Sequence, residues 1–305
     1  MKRVEILAML LCATLLSFIP IVFRPRKPIT TGTKQWVHNP SMLSLPCCAW
    51  DEAERHLNDP QYCTANFSID DSGVYYGALQ SLAYSGGHSC SCVWFRNQLS
   101  YRDSELPEWD AKEFCFRLGS RTIMLIGDST MQQTASALMS SVTHSLWEKG
   151  CQNQIVFAPG DTLVGRSFGV LNRGAHWTHW VGALRPGDIV VLSAGPHLMV
   201  DDDTFKIILD EVVQAHNTSF PHLRLIWRSQ FPGGCGENDS SYNYAHFPTW
   251  DRLAAATTPD FLDISALYAR PDAHVGANVT YPTDCLHFCM PVLYDLVARL
   301  FLRIL

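Results

Sequence analysis

Ser129 stands where a short apolar run gives way to polar residues of good helix propensity, in the sequence TIMLIGDSTMQQT at residues 122–134. A serine between a buried strand and a helix lies at the positive end of that helix, where main-chain N–H groups can hold a developing oxyanion. The same position suits an N-terminal helix cap, for which Asp and Ser are preferred. Ser129 is therefore a candidate nucleophile or a candidate cap.

A candidate base with an orienting acid occurs near the C-terminus, in the sequence TDCLHFC at residues 283–289. Asp284 and His287 are three residues apart, a spacing that places both side chains on one face of a turn or short helix. A carboxylate there can fix the imidazole tautomer while the other ring nitrogen faces a serine. The two residues can also be an incidental turn, although Cys285 and Cys289 would hold the segment rigidly.

A second serine competes for the role of nucleophile. Ser167 lies in the sequence GRSFG at residues 165–169, which matches the Gly-x-Ser-x-Gly pattern of a nucleophile elbow. Such an elbow needs a buried strand before it and a helix after it. The residues on either side of Ser167 show neither pattern, so Ser129 is preferred.

Short apolar runs and helix-compatible segments alternate from residue 121 onward. The runs read as strands at residues 122–127, 154–159, 188–195, 223–229 and 261–265. Segments with helical spacing lie at residues 130–149, 201–217 and 290–305. This alternation predicts an α/β sandwich with a mainly parallel sheet, whose ligands gather at the carboxyl ends of the strands.

Two tryptophans and two histidines cluster in the sequence GAHWTHW at residues 174–180. Trp177 and Trp180 are either packing residues or a platform on which a sugar ring stacks. His176 and His179 have no third ligand nearby, and the cysteine spacings CSC and CLHFC do not make a four-ligand zinc set. No metal site is predicted.

The charge balance argues against a nucleic-acid partner. The formal net charge of the 305-residue chain is −6, and no stripe of Lys and Arg runs along it. A nucleic-acid-binding surface needs such a basic footprint.

The N-terminal residues 1–23 predict a signal-anchor transmembrane segment. Two basic residues precede an apolar run from Ile6 to Phe23, which is about the length needed to span a bilayer core. A cleaved signal peptide, and thus a secreted protein, is the alternative. Residues 24–45 read as a stem rich in Pro, Thr, Ser and basic side chains.

Cysteines and glycosylation sequons place the rest of the chain in the secretory lumen. Ten cysteines lie outside the apolar segment, an even number that suits disulfides, and six of them fall in residues 46–120. Those residues predict a small cysteine-rich subdomain, followed by the catalytic domain at residues 121–305. Four N-x-S/T sequons lie at Asn66, Asn217, Asn238 and Asn278. A cytosolic protein with structural thiols and chance sequons is the less favoured alternative.

Four blocks of this sequence resemble, in order, those of the PC-esterase domain. They are IMLIGDSTMQQT, GDIVVLSAGPHL, LIWRSQFPGGCG and TDCLHFCMP, and the resemblance covers roughly residues 121–295. That domain belongs to the SGNH/GDSL-like superfamily and includes the trichome-birefringence-like polysaccharide O-acetyltransferases. The resemblance implies an SGNH-hydrolase-like three-layer α/β/α sandwich with a mainly parallel sheet.

The resemblance also implies roles for individual residues. Ser129 would be the acyl-accepting nucleophile, His287 the general base and Asp284 its orienting carboxylate. Other residues would hold the oxyanion or line the substrate site, namely Gly195, His197 and Arg228. Cys235 would pair with Cys285 in a disulfide.

One departure from the family pattern lies three residues after the nucleophile. Family members commonly have Arg there, whereas this chain has Gln132. The amides of Gln132 and Gln133 can still donate hydrogen bonds at the oxyanion or substrate site.

Three functions are consistent with these observations. The leading one is a membrane-anchored, type II O-acyltransferase of the Golgi, which takes acetyl from an acyl donor and transfers it to a glycan or polysaccharide without a cofactor. A carbohydrate acetylesterase with the same triad is the second. The third is a catalytically inactive lumenal glycan-binding protein that retains the fold.

Overall fold

Five consecutive parallel strands make up most of a seven-stranded sheet in the computed structural model of this chain. The structure describes residues 34–38, 68–69, 75–76, 99–146, 150–165, 175–233, 243–271, 274, 286–288 and 290–305. Its strands are β1 (Gln35–His38), β2 (Ser68–Ile69), β3 (Tyr75–Tyr76), β4 (Leu99–Arg102), β5 (Ile123–Gly127), β6 (Ile155–Pro159), β7 (Ile189–Leu192), β8 (Arg224–Arg228) and β9 (Asp260–Leu262).

The order of the strands creates a topological switch point at the carboxyl ends of two neighbouring strands. In the order β2-β3-β6-β5-β7-β8-β9, the chain leaves β5 for β6 on one side and later enters β7 on the other side. The connections from β5 and β7 therefore diverge at the carboxyl ends of these two neighbouring strands. Ligands of open α/β sheets bind at such a switch point.

The central strands are buried on both faces, which explains why their sequences are almost continuously apolar. Ile123 and Leu125 of β5 belong to one hydrophobic cluster, and Met124 and Ile126 belong to a second cluster on the opposite face. Side chains alternate between the faces of a strand, so a five-residue apolar run feeds both cores.

Helices cover both faces of the sheet. The α-helices are α1 (Ala111–Leu118), α2 (Ser129–Leu146), α3 (Asp202–Ser219), α4 (Phe247–Thr257) and α5 (Met290–Ile304). Residues of α1, α2 and α5 join the first cluster, whereas residues of α3 and α4 join the second. The structure thus has the α/β fold with a mainly parallel sheet that the sequence predicts.

Residues before the predicted boundary at residue 121 contribute to the same architecture. β3 pairs with β6 in an antiparallel arrangement and so extends the sheet. β1, which falls in the predicted stem, pairs with β4, and the Trp36 indole donates a hydrogen bond to the Ala266 carbonyl at 3.1 Å. α1 buries Phe114 and Leu118 in the first cluster.

One disulfide joins the two cysteines that fall in the described ranges. Cys115 of α1 is bonded to Cys151, which precedes β6. The predicted pair of Cys235 and Cys285 lies outside these ranges, as does the predicted anchor at residues 1–23. Over the part of the chain that the structure covers, no helix combines the length and apolar character needed to cross a bilayer.

Candidate active site

The candidate site is built where β5, β7 and β8 end side by side. Ile126 of β5 pairs with Leu192 of β7, which in turn pairs with Trp227 of β8. The segments that follow these strands therefore leave the same edge of the sheet. Gly127 allows the backbone after β5 to lie close to the backbone after β7, because a Cβ atom at that position would lie 2.5 Å from the Ser193 carbonyl oxygen.

Ser129 and His287 meet at this edge although 158 residues separate them. The distance between the Ser129 Oγ and the His287 Nε2 is 2.7 Å. Ser129 is the first residue of α2 and is half-buried, whereas His287 is only 9% exposed. A hydroxyl at this distance from an imidazole nitrogen can transfer its proton to that nitrogen during nucleophilic attack.

Asp128 is the residue that caps α2. One of its carboxylate oxygens, Oδ1, accepts hydrogen bonds from the Thr130 N–H at 2.8 Å and from the Thr130 hydroxyl at 2.6 Å. Its carbonyl accepts the main-chain N–H groups of Met131 and Gln132, both at 3.1 Å. The Ser129 hydroxyl is therefore not needed as the cap and faces His287 instead.

Arg228 is completely buried at the end of β8. Its Nη2 donates to the Thr130 hydroxyl at 2.7 Å, and its Nη1 donates to the Ser229 carbonyl at 2.7 Å. Burial lowers the pKa of the guanidinium to about 10, while the carboxylates of Asp128 and Asp251 act in the opposite direction. The group stays cationic at neutral pH and is bonded to the residue that follows the candidate nucleophile.

Gln133 has main-chain partners within the protein. Its side-chain N–H donates to the Phe288 carbonyl at 2.9 Å, and its side-chain oxygen accepts the Phe288 N–H at 3.2 Å. The Gln133 side chain is nearly buried, whereas that of its neighbour Gln132 is half-buried. The oxyanion or substrate contact expected for Gln133 would therefore have to compete with both bonds.

Gly195 lies in the segment that follows β7, and it packs against a buried glutamine. A Cβ atom at Gly195 would lie 2.0 Å from the Gln230 side-chain oxygen, so any larger residue would displace the Gln230 amide. Gln230 also donates its side-chain N–H to the Ala194 carbonyl at 2.8 Å. This contact fixes the backbone just before His197, which is half-buried.

Several predicted residues fall outside the described ranges. They are the orienting acid Asp284, the alternative nucleophile Ser167, the cysteines Cys235 and Cys285, and the sequon residues Asn66, Asn238 and Asn278. Asn217 is described and is exposed near the end of α3. Its exposure leaves the amide accessible for glycosylation.

Trp177 is a core residue and not part of an exposed sugar platform. It is fully buried in the second hydrophobic cluster, where its ring lies 5.6 Å from that of Phe220. Within the ranges described above, no cluster of His, Cys, Asp and Glu side chains could hold a metal ion.

The sequence did not point to Thr130, Gln230 or Phe288 as parts of this site. The sequence does allow Asp128 to be predicted as a helix cap, since an aspartate just before a helix is a common start signal. Thr130 and Phe288 carry no comparable signal, because their partners are buried groups far away in sequence.

Comparison with known proteins adds no relative to this geometry: no protein-family model matches the chain, and no curated protein sequence matches it.

Proposed function

We propose that this chain is an O-acyltransferase that moves an acyl group, most simply acetyl, from a donor to a hydroxyl of a glycan through an ester on Ser129. The observation that carries the proposal is the 2.7 Å contact between the Ser129 Oγ and the His287 Nε2 at the switch point of the sheet. A serine nucleophile needs a base at this distance.

The first half of the reaction forms the acyl-enzyme. The Ser129 Oγ forms a bond to the acyl carbon of the donor, and its proton passes to the His287 Nε2. When the tetrahedral intermediate collapses, the bond between the acyl carbon and the leaving heteroatom breaks. The leaving group then takes the proton from His287.

The second half of the reaction transfers the acyl group. A glycan hydroxyl attacks the ester carbon and gives its proton to His287. The bond from the Ser129 Oγ to the acyl carbon breaks, and the proton returns to that oxygen. The products are an O-acylated glycan and the free enzyme.

The negative charge of each tetrahedral intermediate needs hydrogen-bond donors and a favourable field. The Ser129 N–H lies at the N-terminus of α2, an 18-residue helix whose dipole favours negative charge at that end. We assign further contacts to the segment of Gly195 and His197, which leaves the neighbouring strand β7. Gln132 supplies a neutral amide where the resembling family has a cation.

The remaining parts of the proposal follow the resemblance to the PC-esterase domain. Asp284 would accept the His287 Nδ1–H and so hold the tautomer in which Nε2 is the base. The sandwich would be of the SGNH type. The disulfide of Cys115 and Cys151 and the exposed Asn217 support a lumenal location, which we propose to be the Golgi, behind an anchor at residues 1–23.

The test is incubation of the purified protein with p-nitrophenyl acetate, with and without free oligosaccharides. We expect nitrophenol release together with acetylated oligosaccharide detected by mass spectrometry. Ser129→Ala should lose the activity about a thousand-fold or more. Ser141→Ala is the matched control, because Ser141 lies on the same helix and its hydroxyl donates to the Ala137 carbonyl at 2.8 Å.

The same experiment separates the alternatives. Free acetate without acetylated oligosaccharide would favour the esterase, in which water replaces the glycan as acceptor. If neither the natural chain nor Ser129→Ala releases nitrophenol faster than p-nitrophenyl acetate hydrolyses by itself, both enzymatic functions are contradicted and the inactive glycan-binding protein is favoured.

A further inference from the structure

The Gln133 side chain joins the helix of the candidate nucleophile to the segment of the candidate base. Its amide makes two antiparallel hydrogen bonds with the main chain of Phe288, at 2.9 Å and 3.2 Å. One bond uses the amide as donor and the other uses it as acceptor. This pair of bonds, here called the Gln133 clamp, fixes both the position and the direction of the peptide segment next to His287.

Helix geometry aligns the clamp with the reacting groups. Ser129 and Gln133 are four residues apart on α2 and therefore share one face of the helix. Ser129 contacts His287, and Gln133 contacts the next residue along the chain, Phe288. Two successive turns of one helix thus bind two successive residues of the opposite segment.

The Phe288 ring anchors the segment from its other side. The ring is fully buried, meets Phe231 edge to face at a centroid distance of 5.6 Å and lies 4.1 Å from the ring of His274. These contacts hold the side chain in the core, whereas the Gln133 clamp holds the main chain. His287 is attached directly to this anchored residue.

We infer that Gln133 is a positioning residue that acts through His287, holding the imidazole within reach of the Ser129 hydroxyl. This inference rests on the proposed function of Ser129 and His287. A general base displaced by about 1 Å loses much of its effect, on the order of 100-fold in rate. Gln133 is suited to the role because its amide is both donor and acceptor, which a carboxylate is not.

The test is a double-mutant cycle read by the reaction of Ser129 with a fluorophosphonate probe, which phosphonylates nucleophilic serines. The rate of labelling is measured by mass spectrometry for the natural chain, Gln133→Ala, His287→Ala and the double variant, with excess probe and long incubation. We expect Gln133→Ala to slow labelling by about 10- to 100-fold. In the His287→Ala background, the same substitution should have no further effect, because the group that it positions is gone.

Two further variants guard this interpretation. Gln133→Glu keeps the acceptor for the Phe288 N–H but turns a carboxylate oxygen toward the Phe288 carbonyl, so it should slow labelling at least as much as Gln133→Ala. Gln214→Ala removes an exposed amide from α3 and should label at the natural rate.

Three results would overturn the inference. Unchanged labelling in Gln133→Ala, or an equal loss in both backgrounds of the cycle, would show that Gln133 does not act through His287. In both cases the proposed function would stand, since the natural chain is labelled at Ser129. Absence of labelling in the natural chain would contradict the proposed function itself and remove the basis of the inference.

Discussion

Three consecutive residues at the start of α2 make different contacts in the candidate site. Asp128 caps the helix, Ser129 faces His287, and Thr130 lies between the Asp128 carboxylate and Arg228. A guanidinium only donates hydrogen bonds, so the Thr130 oxygen accepts from Arg228 and its proton must point to Asp128. The direction of this chain of bonds is fixed by chemistry.

Substitution of Thr130 tests how much these hydrogen bonds stabilise the turn that carries Ser129. Thr130→Val keeps the shape but removes both hydroxyl bonds and leaves a buried guanidinium N–H without its acceptor. We expect a loss of about 2–3 kcal/mol in the free energy of unfolding, measured with urea. Thr130→Ser restores the hydroxyl and should recover more than half of that loss. A Thr130→Val variant within about 0.5 kcal/mol of the natural chain would contradict this account.

At this scale the sequence predicts the candidate nucleophile and base better than their surroundings. A Gly-Asp-Ser turn between a strand and a helix has a recognisable pattern, and the histidine lies in a block with its own pattern. The roles of Gln133 and Arg228 at the oxyanion or the substrate stay predictions. The structure adds buried partners for both side chains, and bonds to groups so far away in the chain leave no pattern in the sequence.

At the scale of the elements, the boundaries of the central strands could be predicted closely from the sequence. β5, β6, β7 and β8 start within one residue of the predicted runs, because strands buried on both faces are apolar throughout. The two-residue strands β2 and β3 were not predicted, since two residues carry no periodicity. α1 and α4 were also missed, because they have only 8 and 11 residues.

The disulfide between α1 and the start of β6 gives a prediction about elements. Cys151 lies before the first residue of β6, at the amino end of the sheet, whereas Ser129 lies beyond the carboxyl end of β5. Replacing Cys115 and Cys151 by Ser should lower the free energy of unfolding by about 2–4 kcal/mol.

The same variant should leave the chemistry intact. At a temperature where it stays folded, we expect fluorophosphonate labelling of Ser129 within about two-fold of the natural rate, because no element of the site is lost. A change in the free energy of unfolding below about 0.5 kcal/mol would contradict the stabilising role of the disulfide. A large loss of Ser129 labelling would contradict its independence from the candidate site.

At the scale of the whole molecule, the titration of one half-buried carboxyl, that of Asp251, couples stability to pH. The Asp251 Oδ1 accepts the Gln230 N–H at 2.8 Å, and burial raises the pKa of this carboxyl from its ordinary 3.8 to about 7. Between these two values the folded chain holds a proton that the unfolded chain has released. The free energy of unfolding should therefore fall as the pH rises from about 4 to 7.

Asp251→Asn isolates this contribution, because the amide oxygen can still accept the Gln230 N–H. The difference in the free energy of unfolding between the natural chain and the variant should change by at most about 1.4 kcal/mol per pH unit. Urea unfolding at several pH values measures both chains. Parallel curves for the natural chain and the variant from pH 4 to 7 would show that Asp251 does not titrate in this way.

The central claim concerns covalent chemistry at one atom, and a trapped acyl-enzyme tests it most directly. The purified protein is mixed with p-nitrophenyl acetate, quenched in acid within the first turnover, digested and mapped by mass spectrometry. We predict an acetyl group on the peptide that contains Ser129, and no such adduct in Ser129→Ala. An acetyl group on Ser167, or no acylated serine while nitrophenol is still released, would contradict it.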